Sequence, residues 1–355
     1  VRNVNGALGE GLRLLGGRRA EREETRNGPV MVAPGPVVTE TAQPMERVLF
    51  CPIRNANPFF HLMESLWMLG GRNDLPWLAY YNKRMSEYSD DGGLTQPAAY
   101  GHRWRVYFGY DQLEYVLREL TQRPNSRRAV LAMWDAAGLP RLSGDLGNAL
   151  NGSKDVPCNT HAYFQLKTDG TGTHLDMTVC CRSNDAIWGA HGANAVHFSV
   201  LLEWMTAMLA SRMKHPINVG TMTQFSNNYH VYKEVVKHDL LDYADSAAWH
   251  DHYQDLDSPA LATPMFTDVK SFNAELPKFL EWASPKTIDG QRPGSFATPF
   301  LDAVAKPMVE AWDWHKRAAY DRAIGSTFDI AGTDWQLACR EWMTRRRDNN
   351  SKGAE

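Results

Sequence analysis

The sequence predicts an α/β protein of the α+β kind, and three stretches carry that prediction. "FFHLMESLWMLGG" (59–71) sets Phe60, Met63, Leu66 and Trp67 at helical spacing and stops at Gly70-Gly71, the signature of a buried helix. "HAYFQLKTDGTGTHLDMTVCCRS" (161–183) reads as two strands about a Gly turn, with Leu175, Met177 and Val179 alternating. "NAVHFSVLLEWMTAMLASRM" (194–213) is the longest apolar helical stretch of the chain.

The remaining elements follow in chain order. The first 24 residues read as a short helix and a mobile connection, so the ordered body is expected to begin near Arg26. "GPVMVAPGPVV" (28–38) is β-prone but interrupted by Pro34 and Pro36, which suits an edge strand or a strand with a turn. "YDQLEYVLRELTQRP" (110–124) is an amphipathic helix ended by Pro124, and "RRAVLAMWD" (127–135) the strand after it. A polar loop, "LPRLSGDLGNALNGSKD" (139–155), delivers the chain to Cys158, and a second loop, "IWGAHGA" (187–193), leads into the long helix. Beyond residue 240 an aromatic, Pro-punctuated region is expected to form helices packed on the core, and the tail "RRRDNNSKGAE" to fray. The expected divisions are thus 1–25, a catalytic core over 26–240, a helical extension over 241–345 and a disordered tail over 346–355.

Composition excludes several classes of function. With 355 residues, 43% of them hydrophobic, and 12 tryptophans, the chain can bury a large core. A formal charge of −3 gives no field to hold a polyanion, so nucleic acid is not the expected ligand. No stretch approaches the ~20 apolar residues of a membrane span, and the start lacks the apolar segment of a signal peptide, so a cytoplasmic location and no membrane partner are expected. Five cysteines, thinly spread, form no disulfide framework, and neither C-x-x-C nor H-E-x-x-H spacing points to zinc.

Among polar residues, Cys158 stands out. It follows Pro157 and precedes a strand whose hairpin partner returns Arg182, which could favour the thiolate a nucleophile needs. A small buried thiol is the alternative, and the one that fits Cys180 and Cys181. Glu64 within an apolar helix is either paired structurally or employed as an acid or base. Arg127 and Arg128 enter a strand side by side, so both reach one anion only at a twisted strand end or a subunit boundary; a solvated pair is the alternative. His230 and Tyr232 share one face of "YHVY", suited to core packing or to a ligand hydroxyl.

In their order along the chain, "HLMESLW", "YGHRWR", "NSRR", "PC", "CRSND", a glycine and an asparagine before the long helix, and "HVY" resemble the thymidylate synthase superfamily. The resemblance runs from about Arg26 to about Val235. It implies a large mixed β-sheet at a dimer interface, covered by helices. It makes Cys158 the nucleophile that adds to C6 of a deoxypyrimidine monophosphate. It puts Arg26, Arg182 and Ser183 at the phosphate, with Arg127 and Arg128 supplied by the other subunit of a homodimer. It makes Glu64 the carboxylate that organises water and proton transfer, Asn194 the amide that reads the base, and His230 and Tyr232 the pair that bind the sugar hydroxyl. Asp185, Ser86 and Trp104 fall on the folate side, and the implied cofactor is 5,10-methylenetetrahydrofolate.

Departures from the synthases refine the expectation. Ser86 stands where methylating enzymes carry a tryptophan against folate, "PCN" replaces "PCH", and the tail is polar. A wetter site favours water over hydride at the exocyclic methylene, so C5 hydroxymethylation, as in phage nucleotide hydroxymethylases making modified DNA precursors, is expected ahead of methylation to dTMP. The loop "GAHGAN" is one residue longer than its synthase counterpart. Asn194 favours uracil, because an amide can accept from N3–H and donate to O4; flipped, it would present the complementary pattern to cytosine. A cysteine hydrolase using Cys158 with His161 or His191, and a non-catalytic nucleotide-binding protein, are the alternatives from other classes.

Overall fold

The computed structural model describes residues 1–25, 27–137, 144–235, 244, 250–285 and 294–352. Helix α1 (Val4–Gly16) is capped by Asn3 and buries Leu8, Leu12 and Leu15. The segment after it, read above as a mobile connection, is strand β1 (Glu21–Thr25), paired antiparallel with β2 (Gly28–Val32). The expected boundary near Arg26 therefore falls inside a hairpin; Arg26 itself lies outside the described residues. Pro34 and Pro36 mark the turn from β2 to β3 (Val37–Thr41), and the two strands join different sheets.

Helix α2 (Pro58–Leu69) begins on an Asn57 cap, and all its residues are buried. Its Phe59, Leu62, Met63 and Leu66 are fully buried, each such side chain stabilising the fold by roughly 1.5–3 kcal/mol. Helices α3 (Leu75–Tyr81), α4 (Tyr100–His102) and α5 (Gln112–Gln122) precede a short strand β4 (Val130–Ala132). The polar loop expected over 139–155 contains helix α6 (Gly144–Leu150). Asp145 receives both guanidinium ends of Arg103 at 2.8 Å, with each side chain 1% exposed, and that buried bidentate pair fixes the helix in place. Gly144 admits the approach: its φ is +76°, and a Cβ there would lie 2.0 Å from the Ala137 carbonyl.

Strands β5 (Asn159–Asp169) and β6 (Gly172–Cys181) form the predicted hairpin, and β6 runs parallel to β8 (Asn218–Ser226). The strands fall into two mixed sheets, ordered β3-β8-β6-β5-β4 and β1-β2-β9-β7, where β7 is Asn184–Asp185 and β9 is Tyr229–Tyr232. The segment "IWGAHGA", expected as a loop, is a π-helical turn (Ala186–Ala193) kinked at His191 and Gly192. Such a turn holds one residue more than an α-helical one, which is how the longer segment fits before α7 (Asn194–Met213).

One face of the five-stranded sheet packs on α5 and α7, with α2 against α7, and buries Leu175, Met177, Val179 and Met222. Among the described residues, no helix covers the opposite side of these positions. Across it Val38 pairs with Phe225, Phe225 with Cys180 and Cys180 with His161, while Tyr163 pairs with Val130. Val38, Val130, Tyr163 and Phe225 are exposed.

After residue 250 the described chain forms helices α8 (Val269–Trp282), α9 (Lys306–Lys316), α10 (Tyr320–Thr327) and α11 (Thr333–Lys352). The tail departs from expectation in continuing as helix to Lys352. Arg345 donates to the Pro52 carbonyl, Arg346 reaches Asn55 and lies over Trp342, and these contacts hold the basic segment against the chain entering α2.

Candidate active site

A cleft of about 600 Å³ opens where the two sheets meet, lined by Cys158, Arg182, Ser183, His230 and Tyr232, with Trp134 and Asn228 beside them. Cys158 lies just before β5. Its N–H and that of Asn159 both donate to the Tyr100 hydroxyl at 3.1 Å, so a residue of the "YGHRWR" stretch holds the cysteine turn. Burial and the nearby Cys158 push the Tyr100 phenol far above its ordinary pKa, so it stays protonated.

Arg182 follows β6. Nε donates to the Pro157 carbonyl at 2.8 Å and Nη2 to that of Val156 at 3.0 Å, leaving Nη2 3.9 Å from the Cys158 sulfur. The guanidinium lies over the Trp134 ring at 5.7 Å. A cation fixed beside a half-buried thiol, in a cleft, is the arrangement that favours thiolate and anion together.

His230 and Tyr232 enter from β9, their rings 5.3 Å apart. Asn228 Oδ1 lies 2.8 Å from His230 Nδ1. With that oxygen as acceptor, Nδ1 carries the proton and Nε2 keeps a lone pair for a hydroxyl.

Among the described residues, the other sequence-predicted ones do not line this cleft. Glu64 sits in α2, nearly buried, with Oε2 3.0 Å from Nε2 of His197, which is 3% exposed. Asn194 stands one helical turn before His197 and exchanges hydrogen bonds with Asn159 and Asn184. Trp104, expected on the folate side, is 1% exposed and packs against Phe198 in the core. Arg127 and Arg128 line a separate surface depression with Arg123 and Ser126, where Arg128 pairs with Glu119 at 2.8 Å. His161 projects from the open sheet face against Tyr163, and His191 faces the Tyr229 hydroxyl at 2.7 Å. Neither of these two histidines lines the cleft with Cys158, so neither is placed as the base of a Cys-His hydrolase.

The sequence as a whole is similar to known proteins. The thymidylate synthase family profile matches residues 53–252. The deoxyuridylate hydroxymethyltransferase of Pseudomonas phage M6 is 43% identical over 98% of this chain and 93% of its own length. The chain belongs to the thymidylate synthase family. The deoxyuridylate hydroxymethyltransferase of Bacillus phage SP01 is 37% identical over 56% of this chain and 49% of its own length. The solved thymidylate synthase from T4 phage aligns at 17% identity with a TM-score of 0.47, covering 62% of this chain and 74% of that one. As a thymidylate synthase family member the chain is a one-carbon transferase.

Folate, the cofactor that the sequence implies, has candidate partners on β7 and the turn that follows it. Asp185 Oδ1 accepts from the N–H groups of Ile187 and Trp188, at 2.8 and 2.5 Å, and caps the π-helical turn. Its Oδ2 is buried and has no hydrogen-bond partner among the described residues, and burial raises the carboxyl pKa. Trp188, 43% exposed, has the guanidinium groups of Arg54 and Arg84 at 5.1 and 4.9 Å from its ring. Ser86 is exposed on the same 3-10 helix (Lys83–Tyr88) as Arg84. An orphan carboxylate oxygen, an exposed ring and two cations suit a ligand that is a flat, N–H-bearing heterocycle with an anionic tail.

Sequence reasoning assigned no role to Tyr100, Trp134, Asn228 or His197. The signals were present: Tyr100 and Trp134 stand in stretches already singled out, Asn228 lies two residues before His230, and His197 lies three after Asn194. What linked them to the site was contact across the fold.

Proposed function

We propose that this enzyme hydroxymethylates dUMP at C5 with 5,10-methylenetetrahydrofolate, as a homodimer, in making modified phage DNA precursors. The observation that carries the reading is Cys158 held beside the Arg182 guanidinium in a cleft with His230 and Tyr232, in a chain 43% identical to the M6 phage hydroxymethyltransferase.

In this reading the Cys158 thiolate adds to C6 of the base, and electron density moves to C5. Arg182 and Ser183 hold the phosphate, joined by Arg26 and by Arg127 and Arg128 of the partner subunit. His230 Nε2 and the Tyr232 hydroxyl bind the sugar hydroxyl, and Asn194 reads the base. The folate, when bound, supplies a carbon at the formaldehyde oxidation level; Asp185, Trp188 and Arg84 would hold it. C5 gives up its proton as the bond from the transferred carbon to the folate nitrogen breaks, which leaves an exocyclic methylene on C5. Water adds to that methylene, its proton passing to Glu64, which faces His197. The C5–C6 double bond re-forms as the Cys158 sulfur departs. Ser86 supports water over hydride, since no ring there shields the methylene. The open sheet face with Val38, Tyr163 and Phe225 supports the dimer, because uncovered apolar rows on a sheet mark a docking face.

The test is reaction of dUMP and dCMP separately in ¹⁸O-labelled water with methylenetetrahydrofolate. Hydroxymethyl-dUMP carrying the label, with tetrahydrofolate as co-product, is expected. Unlabelled dTMP with stoichiometric dihydrofolate would make the chain a thymidylate synthase instead.

A further inference from the structure

Asn194 lies in a buried line of side-chain amides whose direction is imposed from one end. The backbone carbonyl of Ala190 can only accept, and Gln224 Nε2 donates to it at 2.9 Å. Gln224 Oε1 is thereby turned to Asn184, whose Nδ2 donates to it at 3.3 Å and to the Ser226 hydroxyl at 2.9 Å. Asn184 then has only Oδ1 to offer Asn194, and Asn194 Nδ2 donates to it at 3.2 Å. Asn194 Oδ1 accepts in turn from Asn159 Nδ2 at 3.2 Å, and Asn159 Oδ1 from the Cys181 thiol at 2.6 Å. Burial pushes the Cys181 thiol pKa far up, so it keeps its proton and remains a donor at the far end. The amides of Gln224, Asn184, Asn159 and Asn194 are 2, 1, 0 and 8% exposed, so water does not substitute for a lost partner.

A primary amide has two N–H donors and two acceptor lone pairs. Asn194 uses one of each in the line, and its second hydrogen and second lone pair have no partner among the described residues. Those spare groups are what a pyrimidine edge would meet. Uracil offers N3–H and O4, cytosine an unprotonated N3 and an amino group, so the two bases need opposite amide directions. Reversing Asn194 alone would set N–H against N–H at Asn159 and oxygen against oxygen at Asn184. Reversing every amide in the line would set Gln224 Oε1 against the Ala190 carbonyl. A buried group left unpaired is costly, and either reversal leaves two.

We infer that Asn159, Asn184 and Gln224 are positioning residues that lock the direction of Asn194, so that the enzyme accepts one pyrimidine and rejects the other. This rests on the reading of Asn194 as the base-contacting residue and of dUMP as substrate, which makes cytosine the rejected base. Gly189 belongs to the same device: a Cβ there would lie 2.6 Å from Asn184 Oδ1 and 3.2 Å from Asn194 Nδ2, wedging the line apart.

The test compares dUMP with dCMP in two ways, as the ratio of kcat/KM and as the ratio of Kd measured by calorimetry without folate. Gln224→Met removes the anchor at Ala190, and Asn159→Asp removes the donor at the other side. Each is expected to shrink the preference for dUMP by roughly tenfold or more, chiefly by admitting dCMP, whereas general damage to the fold lowers both substrates alike. If Gln224→Met does not fold, Asn159→Asp and its Kd ratio decide. Asn194→Asp serves as the control on the underlying reading and should shift preference to dCMP. A shift in Asn194→Asp with the wild-type ratio kept in both positioning variants would overturn the lock and leave the reading standing. No shift in Asn194→Asp would overturn both.

Discussion

The wall of the cleft and the layer behind it use polar residues in opposite ways. Arg182, Ser183, His230 and Tyr232 spend part of their bonding capacity on the protein and keep the rest facing open space. Behind them Asn159, Asn184, Asn194 and Gln224 spend theirs largely on one another, in near-complete burial, with Glu64 facing His197 nearby. The wall can be altered with little loss of packing, whereas the layer behind it combines structure and selectivity in the same bonds.

The sharpest test of this contrast is Cys158→Ser. Turnover should fall by several orders of magnitude, because an alcohol is far less ionised than a thiol, while the denaturation midpoint barely moves. A similar loss of stability would mean that Cys158 serves the packed layer instead. Near-wild-type turnover would remove it from the chemistry.

A second test extends the wall to the partner subunit. Cys158→Ala and Arg128→Ala, each inactive alone, should regain activity on mixing, since one site of each heterodimer then carries neither change; random exchange yields roughly a quarter of wild-type activity. Confirmed exchange with no recovery would confine each site to one chain.

For the layer behind, Gly189→Ala should act in the reverse sense, lowering stability by about 1–3 kcal/mol through overpacking between Asn184 and Asn194. Urea denaturation reads this directly, and an unchanged midpoint would show that the amide line yields easily.

The smallest effect concerns pH. Burial, and then Arg54, hold the His191 pKa down, to about 3 from an ordinary 6.5. The folded state keeps this ring neutral, whereas the unfolded chain takes up a proton below about 6.5, so stability is lost as pH falls through that window. Between pH 7 and 5 the wild type should lose about 2 kcal/mol more than His191→Gln. Parallel pH curves for the two proteins would contradict this.

Much of the wall was legible in the sequence, because its residues sit in short motifs whose spacing survives folding. Cys158 and Arg182 were readable as hairpin neighbours, and His230 and Tyr232 as alternate strand positions. Trp104 misled because a motif gives proximity in the chain, while the π-helical turn (Arg103–Tyr107) that holds it directs the indole into the core. Arg103 and Asp145, 42 positions apart, turned an apparent loop into a braced helix, and no local pattern announces such a pair. The amide line was equally hidden: Asn159, Asn184, Gln224 and the Ala190 carbonyl come from β5, β7, β8 and a π-helical turn.

The contacts of α11 bear on the order in which the molecule can be completed. Arg345 reaches the Pro52 carbonyl 293 positions back, and Tyr253 donates its hydroxyl to Asp334 while accepting from the Val48 N–H. A chain emerging from the ribosome makes the segment around Pro52 early and its covering helix late. The entrance to α2, and with it the seat of Glu64, thus waits for residues 333–352 to be synthesised. Contacts of such long sequence separation also slow folding. The enzyme should therefore gain activity late after translation, well after the β5–β6 hairpin has closed.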